Sequence, residues 1–305
     1  MDENIGMIIH WGIYSCPAYD NVALARKRNI QNGSEWYYGR LTNENKFRQI
    51  SGSTDTQEWH RKNYQNKNYY DFDITENPNI SKWIDAAKNI NASYIILTAK
   101  HHDGFCLWPS KHAEHHTKRD IIKDFCNEAK NAGLKYGIYY SWCEFNKRIT
   151  KDFIKNTIVP QIRELATNAP MIWWFDGHWE IKSQFAKDSI TSICKVITND
   201  GAIINDRIPD LDLATYRVYE DRHIPTKKPS KTWEHINTIG LSWGYNKQQK
   251  ESDYKTGKQL YQLYQQVKKL GGNFLINIGP NDQGEIDENE LKSLNEFSTI
   301  QNENK

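Results

Sequence analysis

The chain has 305 residues, with 40 basic and 38 acidic side chains interspersed to a formal charge of +2, so nothing in it argues for nucleic acid or a membrane surface as partner. Its 5 cysteines are widely spaced without a CxxC pair, which speaks against a disulfide framework or a zinc ribbon and for free, mostly buried thiols. The 11 Trp, 17 Tyr and 10 Phe are many for a chain of 38% hydrophobic content, and aromatic faces serve sugar binding as readily as they serve cores.

The opening MDENIGMIIHWG carries acids at once, and no run reaches the length of a membrane span, so neither a secretory signal nor a transmembrane helix is expected in the sequence as given. GMIIHWG (6–12) predicts the first strand. The segment 13–78 that follows is polar and predicts a long connection over the active-site face. ASYIILTAK (92–100), LKYGIYYS (134–141), PMIWWFD (170–176), GAIIND (201–206) and NFLINIG (273–279) predict five further strands. YRVYE (216–220) and KTWEHI (231–236) are weaker candidates for two more.

Helical spacing of apolar residues recurs between these runs: Trp83, Ile84, Ala87 and Ile90; Ile121, Phe125 and Ala129; Ile154, Ile158, Ile162 and Leu165. Later helices are expected near 190–197, 260–270 and 287–297. Gly133, Gly271 and Gly272 stand where helices should stop before strands. Strand and helix in alternation imply a parallel sheet. The first strand is not followed by a glycine fingerprint, so a (β/α)8 TIM-like barrel, in a single domain over 1–305, is favoured over a doubly wound nucleotide binder.

Polar residues gather where strands end. His10 closes the first strand, His101 and His102 follow the second, Tyr139 and Ser141 end the third, Asp176 ends the fourth, and Arg207 ends the fifth. In a barrel these ends meet at one mouth, which would hold two or more carboxylates, His and Tyr donors, one Arg and Trp faces. That inventory suits binding a sugar ring and cleaving a glycosidic bond.

Each residue has a plainer alternative. His101 and His102 could ligate a metal, but strand neighbours point to opposite faces, and the chain has no HExxH spacing. Asp103-Gly104 could be a turn. Asp176 could cap a helix as readily as it could catalyse, and Glu234 taken alone is a surface acid.

The motifs GMIIHWGIYS, EWYYGRL, KHHDGFCLWPS, IWWFDG, IINDR, TWEHINTIGLSWGYN and GGNFLINIGPNDQGEI, in that order, resemble the α-L-fucosidases of glycoside hydrolase family 29 from about Gly6 to about Asp287. The resemblance implies a retaining exo-fucosidase that needs no metal or cofactor and acts on terminal α-L-fucose of an oligosaccharide or glycoconjugate. A non-catalytic fucose-binding barrel is the alternative. By the resemblance Asp176 would be the nucleophile and Glu234 the general acid/base. His10, Glu35, Trp36, His101, His102, Tyr139, Trp174, Arg207 and Trp243 would contact the sugar, with strand register deciding between Tyr139 and Tyr140. Family members usually carry a helix before the first strand and a C-terminal β-sandwich, and neither is expected in the sequence as given.

Overall fold

The computed structural model describes residues 5–28, 33–42 and 53–304. Eight strands form one sheet: β1 Ile5–Ile9, β2 Tyr94–Lys100, β3 Lys135–Ser141, β4 Ile172–Asp176, β5 Ile203–Ile204, β6 Arg217–Val218, β7 Trp233–Thr238 and β8 Asn273–Ile278. They lie in the order β5-β4-β3-β2-β1-β8-β7-β6, and every paired neighbour is parallel. All six expected strands are present, and both weak candidates are strands as well, though β5 and β6 are only two residues long.

No backbone ladder joins β5 to β6 among the described residues; the seam is bridged by individual groups. The Thr215 amide donates to the Ile204 carbonyl at 2.9 Å, and the Ile204 amide donates back to Thr215 Oγ1 at 2.9 Å. One step along, the Val218 amide donates to Asp206 Oδ1 at 2.8 Å. Side-chain acceptors thus stand in for the missing ladder and draw the curled sheet together.

Strand alternation sorts the side chains into two layers. Ile8, Tyr94, Ile96, Tyr139, Ile172, Trp174, Ile236 and Leu275 fill the inside of the curled sheet. Met7, Ile9, Ile95, Leu97, Ile138, Trp173, Phe175 and Phe274 face outward into a larger core against the helices. The expected helices appear at Ile80–Asn89, Ile121–Asn131, Gln184–Asn199, Gly257–Lys269 and Glu288–Glu303. The helix expected around 154–165 runs from Lys151 to Ala166 and contains a π turn at Ile154–Ile158.

The polar segment 13–78 is more structured than its composition implied. It holds helices at Val22–Arg28, Tyr37–Thr42 and Ser53–Tyr64, tied down by aromatic packing such as the Tyr19–Trp59 stack at 4.1 Å. The parts at 29–32 and 43–52 lie outside the described residues. All five cysteines are buried and unpaired. No described helix is long and apolar enough to cross a membrane.

Candidate active site

A cavity of about 220 Å³ opens at the C-terminal ends of the strands. Its wall takes one or two residues from each of several strand ends: His10 after β1, His101 and His102 after β2, Tyr139 on β3, Trp174 and Asp176 on β4, and Arg207 after β5. Trp36 and Trp243 arrive from the connections after β1 and β7. Nine of the eleven expected site residues therefore meet in one pocket.

Asp176 ends β4, and its position is set by the strand before it. Trp173 and Phe175 pack outward into the core, while Trp174 and Asp176 face the barrel interior. Asn205 fastens the strand at this point, because its side-chain amide both accepts from the Phe175 amide at 3.0 Å and donates to the Phe175 carbonyl at 2.9 Å. Gly177 follows with φ 75°, and a Cβ there would come within 2.7 Å of Cys143 Sγ. Only glycine turns the chain at that point without strain.

Two donors hold the Asp176 carboxylate: Arg207 Nη1 at 2.7 Å on Oδ1 and Tyr139 Oη at 2.8 Å on Oδ2. His102 Nε2 lies 3.6 Å from Oδ2. Burial alone would push this carboxyl up, but the Arg207 and His102 charges and the two hydrogen bonds outweigh it and hold it down at about 2. Asp176 is therefore ionised at any ordinary pH. The other fork of Arg207 binds Asp221, so one guanidinium bridges two carboxylates that both line the pocket. Burial would lower the Arg207 pKa, but these two carboxylates raise it instead.

The histidines are fixed by what stands behind them. Asn277 Nδ2 donates to the Trp243 carbonyl at 2.7 Å, which turns Asn277 Oδ1 toward His10 Nδ1 at 2.6 Å. His10 Nδ1 is then the protonated nitrogen, and Nε2 is left as an acceptor. Burial lowers the pKa of His10, and lowers that of His101 further, with His102 and His10 adding to the effect. His101 Nδ1 is buried and has no hydrogen-bond partner among the described residues.

Strand alternation predicts that His101 and His102 face opposite ways. Both face the pocket, with rings 4.2 Å apart, because the β2–β3 register shifts between Thr98 and Lys100 and the chain leaves strand geometry before the pair. Tyr139 lines the pocket, whereas Tyr140 points outward to Gln161 and Lys100.

Two expected residues do not reach the cavity. Glu35 has no exposed surface; its carboxylate accepts from the Gly33 amide at 2.7 Å and the Gly244 amide at 3.2 Å, which ties the turn bearing Trp36 to the segment bearing Trp243. Glu234 is fully buried on the inner face of β7, one alternation below Ile236, and accepts from Tyr94 Oη at 2.5 Å and Trp174 Nε1 at 2.9 Å. Its carboxylate is turned into the barrel rather than toward the mouth.

Three wall residues went unrecognised in the sequence: Trp179, Asp221 and Ile236. Trp179 follows the turn after Asp176, and Asp221 follows the weak β6 candidate, so strand-end position was the signal that could have found both. The pocket offers two carboxylates, the Arg207 cation, imidazoles and indole faces. It can hold a polyhydroxylated ring and supply both a nucleophile and a proton carrier.

The whole chain, residues 1–305, matches the family model described as Alpha-L-fucosidase. Among curated relatives it is 30% identical over 327 residues to an alpha-L-fucosidase of Dictyostelium discoideum, covering 97% of this chain and 68% of that protein. It is 27% identical over 317 residues to the human tissue alpha-L-fucosidase, covering 93% and 63%. The chain thus spans about two thirds of the length of these relatives. Among solved structures it superposes on a Thermotoga maritima alpha-fucosidase with a TM-score of 0.81 at 28% identity, covering 98% of this chain and 72% of that one. A structure of the T. maritima enzyme in complex with fucose matches with a TM-score of 0.79 at 27% identity, with coverage of 98% and 72%.

Proposed function

The chain belongs to the alpha-L-fucosidase family, and on that premise we propose that it hydrolyses terminal α-L-fucose from fucosylated glycans by double displacement. The observation that carries this reading is the pair of pocket carboxylates gripped by one guanidinium, one of them, Asp176, held ionised at the floor of a wall rich in sugar-binding side chains.

In the first step Asp176 attacks the anomeric carbon from one face while the glycosidic bond breaks on the other. The departing oxygen takes a proton from the second pocket acid, which must first bind that proton from solvent and part from Arg207. In the second step that acid, now a carboxylate, removes a proton from water, and the resulting hydroxide equivalent displaces Asp176 from the anomeric carbon. The two inversions restore the starting configuration.

We assign the acid/base role to Asp221, in place of the Glu234 that the family resemblance implied, and its position on the pocket wall supports this. It is the other carboxylate on the pocket wall among the described residues, whereas Glu234 lies inside the barrel with both oxygens occupied by Tyr94 and Trp174. His101 Nδ1 and His10 Nε2 face ring hydroxyls, and the Trp36 and Trp243 indoles offer apolar faces to the sugar's methyl edge.

The test is fucose release from an aryl α-L-fucoside, with the Asp176→Ala protein alongside. The wild type should release fucose. The variant should lose turnover by orders of magnitude and regain part of it in azide as β-fucosyl azide. A wild type that binds fucose and releases none from any fucoside would replace the reading with that of a carbohydrate-binding barrel.

A further inference from the structure

Glu234 is a carboxylate without exposed surface in a layer otherwise built of aromatic and aliphatic side chains. Burying such a group carries a desolvation cost that a leucine of similar size would not, so packing alone does not account for it. The geometry points to Glu234 as a positioning residue for the nucleophile, acting through the indole of Trp174. The inference rests on the reading of Asp176 as that nucleophile.

Trp174 Nε1 donates to Glu234 Oε1 at 2.9 Å, which fixes the rotation of the indole about its own axis. Two side chains rest on that indole. Tyr139 stacks on it at 5.4 Å between ring centroids and 16° between planes, and the Arg207 guanidinium lies over it at 4.6 Å. These two are the donors that hold Asp176. A tilt of Trp174 would therefore move both hydrogen bonds to the reacting carboxylate together. On its other side Glu234 is pinned by Tyr94 Oη at 2.5 Å, and Tyr94 fits because Gly6 has no Cβ, which would fall 2.2 Å from the ring.

The titratable and charged groups facing Glu234 are Tyr94 on β2, Tyr216 just ahead of β6, and Asp206 and Arg207 after β5. Burial lifts the Glu234 carboxyl to about 7, while the Tyr94 and Trp174 hydrogen bonds and the Arg207 charge oppose the rise and Asp206 adds to it. Its charge then changes near neutrality, and Trp174, in direct contact, reports the change.

Glu234→Gln keeps the shape and an acceptor but removes the ionisation; Tyr94→Phe leaves the acid and removes one donor, well away from the pocket. Both are assayed for kcat and KM on an aryl α-L-fucoside. Both are also followed by fluorine NMR of fluorotryptophan-labelled protein across pH, the Trp174 resonance being assigned with Trp174→Phe. Misplacing a reacting group lowers turnover rather than binding, so Glu234→Gln should lose roughly tenfold or more in kcat with KM within about twofold. The wild-type Trp174 resonance should titrate near neutral pH, stop titrating in Glu234→Gln, and titrate at higher pH in Tyr94→Phe.

A wild-type kcat in Glu234→Gln, or a Trp174 resonance that ignores both substitutions, overturns the proposal. So does azide rescue of Glu234→Gln, which would make Glu234 the reacting acid. If Glu234→Gln does not fold, the Tyr94→Phe shift decides. If the wild type releases no fucose, the hydrolase reading fails by itself, and the resonance still tests whether Glu234 controls Trp174.

Discussion

Arg207 Nη1 donates to Asp176 Oδ1 at 2.7 Å, and it does so from a buried guanidinium stacked over Trp174, so the Asp176 charge is balanced within the pocket. The pair sets Asp176 well below the usual carboxylate range. Replacing Arg207 with Ala leaves burial unopposed by that charge and should raise the Asp176 pKa. The acidic limb of the kcat/KM profile should then move to higher pH, with activity lost first at the acid end. An acidic limb unmoved in Arg207→Ala would mean that the ion pair does not control an ionisation of Asp176 on which turnover depends.

The same pair makes a statement about stability. Asp176 falls from the usual 3.8 to about 2 in the folded chain, a depressed value, so its contribution is present above pH 3.8 and is lost as pH falls toward 2. A shift of this size is worth roughly 2 kcal/mol. Asp176→Asn should therefore lose less stability than the wild type between those two pH values, as measured by urea unfolding at each pH.

Glu234 works in the opposite sense. Its folded pKa is raised from the usual 4.5 to about 7, so the folded chain holds a proton that the unfolded chain has released, and stability falls as pH rises between the two values. Glu234→Gln has no proton to lose and should gain on the wild type across that interval, by up to about 3 kcal/mol. Parallel unfolding curves for the two proteins on both sides of the interval would refute this.

Asp221 and Glu234 can be told apart by leaving group. Asp221→Asn should lose most on poor leaving groups, while fucosides with activated aryl leaving groups lose least, because they depart without a proton. Kinetics across an aryl series check this. A flat dependence on leaving group in Asp221→Asn would send the acid/base role elsewhere.

Tyr139→Phe removes one donor from the ionised carboxylate and keeps the ring that stacks on Trp174. A hydrogen bond to a charged group is worth about 1.5–3 kcal/mol, so the thermal midpoint should fall, and kcat should fall with it by roughly 10- to 100-fold. Thr215→Val, away from the pocket, should lower stability alone. It leaves the buried Ile204 amide without its acceptor at the β5–β6 seam, at a cost of about 1–3 kcal/mol in stability, seen as a lower melting temperature.

The parallel barrel and the residues at its mouth were legible in the sequence because both depend on local rules. Alternation along IWWFD puts Trp174 and Asp176 on one face, helix and strand periods place one strand per repeat, and the end of a strand is where its last polar residue stands. The sequence-order motifs carried the family resemblance on the same residues. Alternation says which face a side chain takes but not how deep along the barrel axis it lies, and depth depends on register between strands far apart in sequence. Glu234 pairs with Val218 and with Asn273, the first residue of β8, so it lies below the pocket, whereas Asp221, beyond the end of a two-residue strand, reaches the wall. The shifted β2–β3 register that turns both His101 and His102 inward is likewise a property of two strands together. The residue types at the mouth were legible in the sequence, and which carboxylates reach the pocket wall was decided by how the strands are staggered.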